Sequence, residues 1–395
     1  MSLTAALRLL EFAKGSRIPS GGFAGLDEHG RPVPEKSVDT IATARMTLCF
    51  SIGCLVDSPG AERFAKHGVD ALFGLLRDPE FGGYLVSTAG DAKAARKQAY
   101  QASFVLLAAS TARIAQVPGA YNLFEDAQRN VSARFWSETD GALVESWDRT
   151  FSEVEPCWGA NANMHGVEAM LSAYASAGDD RWRDRALRVA DRFVNTIARS
   201  NAWMLPEHFD SDWTVLRDYG RASPEDIFRP YGVTIGHLFE WSRLLLELRS
   251  AFDRPEPWLA ECALHLYTAG KRLGWAADGA DGFVYTVDWA GKPVVRLRPH
   301  WVVAEAISAA ATWARFLPGG SYDADLAAWQ GYADMYLRDP TNGSWRHELD
   351  QHNRPSAQMF RGRPDVYHAL QCELISVSGI APSLALRVAE SLVKP

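Results

Sequence analysis

Residues 281–293 read DGFVYTVDWAGKP, a glycine followed by aromatic and apolar residues and then a short polar stretch typical of a β-hairpin. Similar stretches recur at 21–32, 81–91, 140–150, 201–212 and 342–355. The aromatic or apolar anchor residues of the six stretches are Phe23, Tyr84, Leu143, Trp203, Phe283 and Trp345. They follow one another at intervals of about 60 residues, with one interval of about 80, and such a period indicates a repeat architecture.

Between the hairpins, apolar residues recur at helical spacing. The segments include 38–56, 62–76, 97–115, 122–136, 164–177, 181–198, 235–252, 257–273, 301–316, 322–337 and 364–378. Six hairpins, each followed by two helices, predict an all-α fold, an (α/α)6 toroid of six helical hairpins with short β-hairpins in the connecting loops. An open solenoid would need polar capping repeats, and none is evident. The one long interval predicts an insertion near 211–233, a candidate active-site loop.

Composition excludes several classes of protein. The 395 residues are 47% hydrophobic and no Ser/Gly/Pro-rich linker divides them, so we expect a single domain over 1–395. The net charge of -7 and the absence of a Lys/Arg-rich run argue against nucleic acid or an anionic membrane as partner. The N-terminal helix carries charges unlike a signal peptide, and no apolar run is long enough to span a bilayer.

The cysteines and metal motifs point to a reduced, metal-free protein. Five cysteines without CxxC spacing suggest neither a disulfide framework nor a zinc cluster, and they indicate buried thiols in a reducing cytoplasm. H-E-x-x-H, paired cysteines and multi-Asp loops are lacking, so we expect no metal and no cofactor.

Polar residues at the starts of predicted inner helices are candidate site residues, because such helices point side chains into a central funnel. His237 and Glu240 share a face at i, i+3, and a carboxylate beside an imidazole can fix its tautomer for acid/base chemistry. Taken alone, a Glu near a helix start is also explained by the helix dipole. His368 begins another helix after Pro364, where a lone histidine is more often structural.

Three further segments carry polar residues on otherwise apolar helices. Asn161 and His165 lie at i, i+4 and suit either sugar hydroxyls or hydrogen bonds within the core. Trp301 follows His300, and Glu305 lies among alanines and valines, where a buried carboxylate needs a partner. Arg45, in an apolar segment, has the same need.

The elements TARM (43–46), NANMH (161–165), GHLFEW (236–241), HWVVAEA (300–306), W-x-x-E-L (345–349) and DVYH (365–368) resemble the N-acylglucosamine 2-epimerase family in the same order over nearly the whole chain. Within that family the similarity is greatest to the branch of mannose and sulfoquinovose isomerases. This resemblance implies an (α/α)6 barrel that acts on free sugars without metal or nicotinamide. The implied activity is aldose–ketose isomerisation of D-mannose, and of D-lyxose, through ring opening and a cis-enediol.

The resemblance also implies roles for individual residues. His237 and His368 are the two catalytic histidines, His237 assisting ring opening and His368 taking the C2 proton, and Glu240 orients His237. The sugar contacts carried over are Arg45, Tyr100, Asn161, His165, Trp301, Glu305 and His347. Sulfosugar isomerases carry Arg where this chain has Ile227 and Gln where it has Pro364, so a neutral hexose is favoured.

Several alternatives remain open from the sequence. They are 2-epimerisation of an N-acyl hexosamine or a disaccharide, isomerisation of sulfoquinovose, an inverting glycoside hydrolase that would use Glu240 and Glu305, and a silent sugar-binding protein. The partner expected in each case is a small sugar, bound to a monomer or homodimer.

Overall fold

The computed structural model describes residues 2–33, 37–89, 95–227 and 229–392. These ranges contain thirteen α-helices, which are α1 Leu3–Ala13, α2 Thr40–Leu55, α3 Ala61–Asp70, α4 Ala99–Ile114, α5 Ala120–Asn130, α6 Ala160–Ala177, α7 Asp180–Ala190, α8 Ile235–Ser250, α9 Trp258–Gly274, α10 His300–Phe316, α11 Tyr322–Tyr332, α12 Tyr367–Ile375 and α13 Leu384–Ser391.

Six inner helices form a closed ring, in which α2, α4, α6, α8, α10 and α12 each pack against the next and α12 packs against α2. Helices α3, α5, α7, α9 and α11 form an outer layer, each against its preceding inner helix, and α1 covers α12. The first helix of the chain therefore completes the last pair. The fold is the (α/α)6 toroid that the sequence predicts.

Burial separates the two layers. Helix α8 is buried from Ile235 to Leu248, whereas α3 buries one face only, as expected for helices inside and outside a ring. Four outer helices, α3, α5, α7 and α11, continue into π-helical segments at Ala71–Leu75, Val131–Phe135, Asp191–Ala198 and Ala333–Leu337.

Short antiparallel strands connect the pairs. Their bounds are β1 Lys97–Gln98, β2 Trp136–Ser137, β3 Ala142–Leu143, β4 Ser146–Trp147, β5 Cys157–Gly159, β6 His208–Asp210, β7 Val233–Thr234, β8 Thr286–Val287, β9 Pro293–Val295, β10 Arg298–Pro299 and β11 Glu348–Leu349. The pairs are β1–β4, β2–β3, β5–β6, β7–β8, β8–β9 and β10–β11. Strands β1, β5, β7 and β10 lead directly into inner helices, so the hairpins gather around the end of the ring where those helices begin.

Each of five inner helices is tied at its first residue to the hairpin that follows it. The backbone N–H groups of Thr40, Ala99, Ala160, Ile235 and His300 donate to the carbonyls of Val86, Glu145, Glu207, Tyr285 and His347 at 2.9–3.1 Å. Four of these acceptors come two residues after a predicted anchor. Glu207 instead follows Leu205, which is fully buried, while Trp203 is half-buried with a left-handed φ of 64°. The anchor predicted at Trp203 is therefore wrong by two residues.

Helix α13 closes the opposite end of the ring, where it contacts α2, α4, α6 and α12. This segment is not among the helices predicted from the apolar pattern. In the part of the chain that the structure describes, none of the helices has the length and apolar character required to cross a membrane.

Candidate active site

A cavity of about 360 Å³ opens at the end of the ring where the inner helices begin. Nine of the ten residues proposed from the sequence line it, and every inner helix contributes at least one. They are Arg45, Tyr100, Asn161, His165, His237, Glu240, Trp301, His347 and His368. The register of the ring thus gathers residues that are more than 300 positions apart in the chain.

Two histidines, His237 and His368, line the cavity, and each has a carboxylate at Nδ1. His237 Nδ1 is 2.7 Å from Glu207 Oε1, and His368 Nδ1 is 2.9 Å from Glu305 Oε1. Because Nδ1 is engaged, Nε2 of each ring remains available to a substrate. The Trp301 ring packs between them, with centroid distances of 5.4 Å to His237 and 5.7 Å to His368.

The carboxylate that orients His237 is Glu207, and the expectation that Glu240 does so is wrong. Residues i and i+3 do share a helix face, but Glu240 lies deeper in the ring, 3.7 Å from His165 and 3.8 Å from Arg243. Glu207 reaches His237 from the hairpin that precedes α8. Its carbonyl caps α6 while its side chain meets α8, so one hairpin residue links two inner helices.

Glu305 is also placed differently from the expectation that it contacts the sugar. It is absent from the cavity lining and is 1% exposed, because it lies beneath His368. Its second oxygen accepts hydrogen bonds from the Arg243 guanidinium at 3.1 and 3.2 Å. Burial pushes the pKa of Glu305 upward, but Arg243 and His368 together hold it below its ordinary value.

Glu168 forms the floor beside His165. Its oxygens accept hydrogen bonds from Tyr367 Oη at 2.5 Å and Gln371 Nε2 at 3.1 Å, and His165 Nδ1 lies 3.3 Å away. Burial raises the pKa of Glu168, but the contact with His165 and the charge of Arg243 lower it to about 2. Glu168 is therefore an anion, and burial lowers the pKa of His165 to about 4, which leaves that ring neutral at physiological pH.

Glu240 has the opposite electrostatic character. Neither of its oxygens has a hydrogen-bond partner within the described structure, and it is 1% exposed. Burial, and then the charge of Glu305, raise the pKa of Glu240 well above its ordinary value. The raised pKa favours the protonated form of Glu240, which can both donate a hydrogen bond to a ligand oxygen and accept one.

Glu240, His165 and Glu168 also form the one group of potential metal ligands found among the described residues, with ligand atoms within 4.8 Å of one another. The donor set suits a metal poorly, since Glu168 already accepts hydrogen bonds from Tyr367 and Gln371 and the raised pKa of Glu240 favours its protonated form, whereas metal ligands are deprotonated.

Arg45 provides a fixed positive charge in the lining of the cavity. Its guanidinium donates to Asp365 Oδ2 at 3.0 Å and to Tyr100 Oη at 2.9 Å, and it lies over the Phe104 ring. Burial opposes the charge, but Tyr100 and Asp365 raise the pKa of Arg45 above its ordinary value. Arg45 is therefore a pre-oriented donor rather than a mobile cation.

His300 and His347 stack at a centroid distance of 3.9 Å. Burial lowers the pKa of His347 to about 3 and holds that of His300 well below its ordinary value, so both rings are neutral. His347 Nε2 bonds to the carbonyl of Asp365 at 3.1 Å, which requires the tautomer that carries hydrogen on Nε2.

Sequence reasoning missed Glu207, and the corrected repeat register would have found it. Tyr285 and His347, two residues after the anchors Phe283 and Trp345, both line the cavity. With Leu205 as the fourth anchor, the same offset selects Glu207. The predicted insertion at 211–233 also reaches the site, where Ile227 and Pro230 line the cavity, while Phe228 lies outside the described residues.

Comparisons with known proteins identify the family of this chain. Residues 21–372 match the model of the N-acylglucosamine 2-epimerase (GlcNAc 2-epimerase) family. The chain belongs to the N-acylglucosamine 2-epimerase family. A D-mannose isomerase of Thermobifida fusca is 45% identical over 383 residues, which are 96% of this chain and 94% of the relative. One from Pseudomonas cannabina pv. alisalensis is 42% identical, covering 97% and 93%.

A solved structure supports the fold of this member of the N-acylglucosamine 2-epimerase family. The crystal structure of a D-mannose isomerase has a TM-score of 0.87 at 24% identity, and the match covers 95% of this chain and 97% of that one.

Proposed function

We propose that this protein is an aldose–ketose isomerase that interconverts D-mannose and D-fructose, and D-lyxose and D-xylulose. The observation that carries the proposal is the pair of histidines, His237 and His368, that face one cavity across Trp301, each with its own carboxylate. Two relatives that share more than 40% of their residues with this chain bear the name D-mannose isomerase.

The proposed reaction begins with ring opening, because the C2 proton becomes acidic only beside a free carbonyl. His237, held by Glu207, protonates the ring oxygen, the bond between C1 and the ring oxygen breaks, and the proton of the anomeric hydroxyl restores His237. His368 then takes the C2 proton through Nε2, exchanges it with solvent, and delivers a proton to C1 on the same face. A second proton moves from O2 to O1, so the cis-enediol collapses to the ketose with atoms and charge balanced.

The remaining lining residues have binding roles in this scheme. Arg45 stabilises negative charge on the enediolate oxygens, and the neutral Glu240 donates a hydrogen bond to a sugar oxygen. Asn161 Oδ1 is buried without a partner in the described structure, so it is free to accept from a sugar hydroxyl. Tyr100, His165, Trp301 and His347 complete the proposed contacts. Glu305 acts through His368 rather than on the sugar.

The charges of the cavity favour an unphosphorylated and unsulfonated sugar. Among the described lining residues, Arg45 is the single Lys or Arg, and it is already paired with Asp365. Ile227 and Pro364 add no charge to the wall. An anionic group would lose its hydration without gaining a charge-assisted bond, so sulfoquinovose is a poorer candidate.

The other reactions fit the geometry less well. An inverting glycoside hydrolase needs a protonated carboxylic acid and a carboxylate base that both face the substrate. The raised pKa of Glu240 would suit the acid, but Glu305 is covered by His368 and does not line the cavity. Epimerisation at C2 needs protonation from the opposite face. A second histidine facing the cavity makes such a minor side reaction from mannose to glucose chemically accessible.

We also propose that residues 1–395 act as one catalytic domain, as a cytoplasmic monomer or homodimer that needs no metal or cofactor. All five cysteines are unpaired, which suits a reducing compartment. Activity should survive exhaustive chelation, and a loss that Mn²⁺ or Zn²⁺ restores would contradict the proton-transfer scheme.

Solvent exchange tests the proposed reaction. In D₂O the wild-type protein should convert mannose to fructose and place deuterium at C1, whereas a hydrolase or a binding protein would place none. His368→Asn should abolish exchange at C2 on every sugar. His237→Asn should mainly impair ring opening and retain relatively more activity on sugars rich in open-chain form. The opposite pattern would show that the acid and the base are interchanged.

A further inference from the structure

The closed end of the ring contains a buried arginine that the proposed reaction does not use. Arg387 comes from α13, is 1% exposed, and extends into the ring, where its Nη2 lies 3.2 Å from Glu247 Oε1 on α8. Burial lowers the pKa of Arg387 to about 10, so the guanidinium remains charged at neutral pH. Apolar side chains would suffice for α13 to close this end of the ring, so the positive charge of Arg387 requires another explanation.

Arg387 is the first member of a chain of alternating charges that ends at His368. Arg387 and Glu247 form an ion pair without a hydrogen bond, whereas Arg243 Nη1 donates to both oxygens of Glu247 at 3.1 and 3.2 Å. Arg243 donates through Nε and Nη2 to one oxygen of Glu305, and the other oxygen of Glu305 meets His368 Nδ1 at 2.9 Å. The contacts join α13, α8, α10 and α12, and every member is at least nine-tenths buried.

Because this series of charged side chains is buried, a charge at one end affects the protonation of the group at the other end. Water screens charges poorly at such a site, so a charge at one end changes the free energy of a proton at the other. Arg243 divides its donors between two carboxylates. When Glu247 is neutralised by Arg387, more of the field of Arg243 is available to Glu305, and Glu305 then stabilises a protonated His368 less strongly.

We propose that Arg387 is a positioning residue for His368, whose positive charge acts through Glu247, Arg243 and Glu305 to weaken the binding of a proton by that imidazole. The expected effect on catalysis rests on the proposed isomerase function. The electrostatic effect of Arg387 on His368 does not depend on which reaction the protein catalyses.

Other groups also face His368 and set the background on which the chain acts. Besides Glu305, they are Asp365, His300, His347, His165 and Arg45, together with the rings of Trp301 and Tyr367. The substitutions at Arg387 and Glu247 alter none of these residues, so changes in the titration of His368 report on the chain.

The test is the NMR titration of His368 in the full-length protein with isotope-labelled histidine, assigned with His368→Asn. Arg387→Met removes a positive charge, so the midpoint should move upward, by roughly half to one pH unit for a charge on the order of 10 Å away at an effective dielectric constant of about 20 to 40. Glu247→Gln removes a negative charge and should move it downward. Arg387→Lys should restore the wild-type midpoint.

The double variant Arg387→Met with Glu247→Gln removes a neutral pair, so its midpoint should return close to that of the wild type. This variant also leaves no unpaired buried charge, so it should fold even where a single substitution does not. Arg315→Met is the matched control, because Arg315 lies near the same end but donates only to the carbonyls of Ala311 and Ser376.

Equal midpoints in all variants would overturn the proposal and leave Arg387 as a plug for the ring. So would shifts of the same sign at Arg387 and Glu247, or a shift in Arg315→Met as large as that in Arg387→Met. The acidic limb of the kcat/KM profile on mannose should follow the NMR midpoints. If the midpoints move as expected while the wild-type protein forms no ketose, the link stands and the proposed function fails.

Discussion

Glu207→Gln is the most informative substitution, because it separates the carboxylate that contacts His237 from the one that the sequence suggested. The Nδ1–Oε1 contact is 2.7 Å long, and Glu207 is 4% exposed. A buried hydrogen bond to a charged group contributes about 1.5 to 3 kcal/mol. We therefore expect kcat on mannose to fall about 10- to 150-fold with little change in KM, because a neutral amide no longer holds Nδ1 of His237 by a charge-assisted bond and so orients the proton-donating ring less well.

A matched control comes from the same position of the neighbouring repeat. Glu145 also caps an inner helix through its carbonyl, but its side chain contacts no histidine, and burial raises its pKa to about 7. Glu145→Gln should change kcat less than about threefold, which corresponds to less than ~0.7 kcal/mol. Ketose formation and thermal unfolding would be measured for both variants. If Glu207→Gln keeps wild-type kcat, Glu207 does not orient the acid and the ring-opening step needs another partner.

Three further predictions address Glu240, specificity and stability. Glu240→Gln resembles the neutral acid already present, so kcat should fall less than about tenfold, and a larger loss would mean that Glu240 ionises during turnover. Ile227→Arg should raise kcat/KM for sulfoquinovose about tenfold or more relative to mannose, since one charge-assisted bond contributes about 1.5 kcal/mol or more; an unchanged ratio would place the sugar's C6 end elsewhere. The lowered pKa of His165, about 4, means that only the unfolded chain binds this proton between about pH 6.5 and 4, so the stability present above pH 6.5 is lost as the pH falls, by about 2 kcal/mol at pH 5. Urea unfolding at several pH values measures this loss of stability. The loss should be smaller in His165→Gln than in the wild type, and it should equal that of the wild type in His265→Gln, where the histidine is exposed.

The ring and most of its lining could be predicted because both depend on repetition along the sequence. The hairpin period predicted six helix pairs, and polar or aromatic residues on apolar helices indicated seven of the nine residues that line the cavity. The other two, Tyr100 and His347, were indicated by the family resemblance alone. Local rules were sufficient there, since the start of an inner helix faces the cavity in every repeat. Helix α13 escaped prediction because it is short and lies outside the period.

Partners within the site could not be predicted in the same way. The i, i+3 rule correctly placed His237 and Glu240 on one helix face, yet the inner helices continue below the cavity, and one further turn of α8 moved Glu240 to the floor beside His165. Glu305 likewise lies more than one turn into its helix, α10, and is therefore below the cavity, under His368. Contacts between helices depend on their depth and rotation in the ring, which the spacing of residues along one helix does not determine.

The arrangement of the ring also bears on how a protein with a net charge of -7 could stabilise an anionic intermediate. The cavity lies at the N-terminal ends of the inner helices, as Tyr100, Asn161, His237, Trp301 and His368 each occupy one of the first three positions of their helix. Each N-terminus carries about half a positive charge, and these partial charges converge on the space above Trp301. An enediolate there would meet a positive field that requires no free lysine or arginine and that is fixed before the sugar binds. A phosphate or sulfonate at the opposite end of the sugar would lie farther from these helix ends, beside Ile227 and Pro230, where the field is weak. The arrangement of helix ends that would stabilise the intermediate therefore provides no positive field for a charged group at the other end of the sugar.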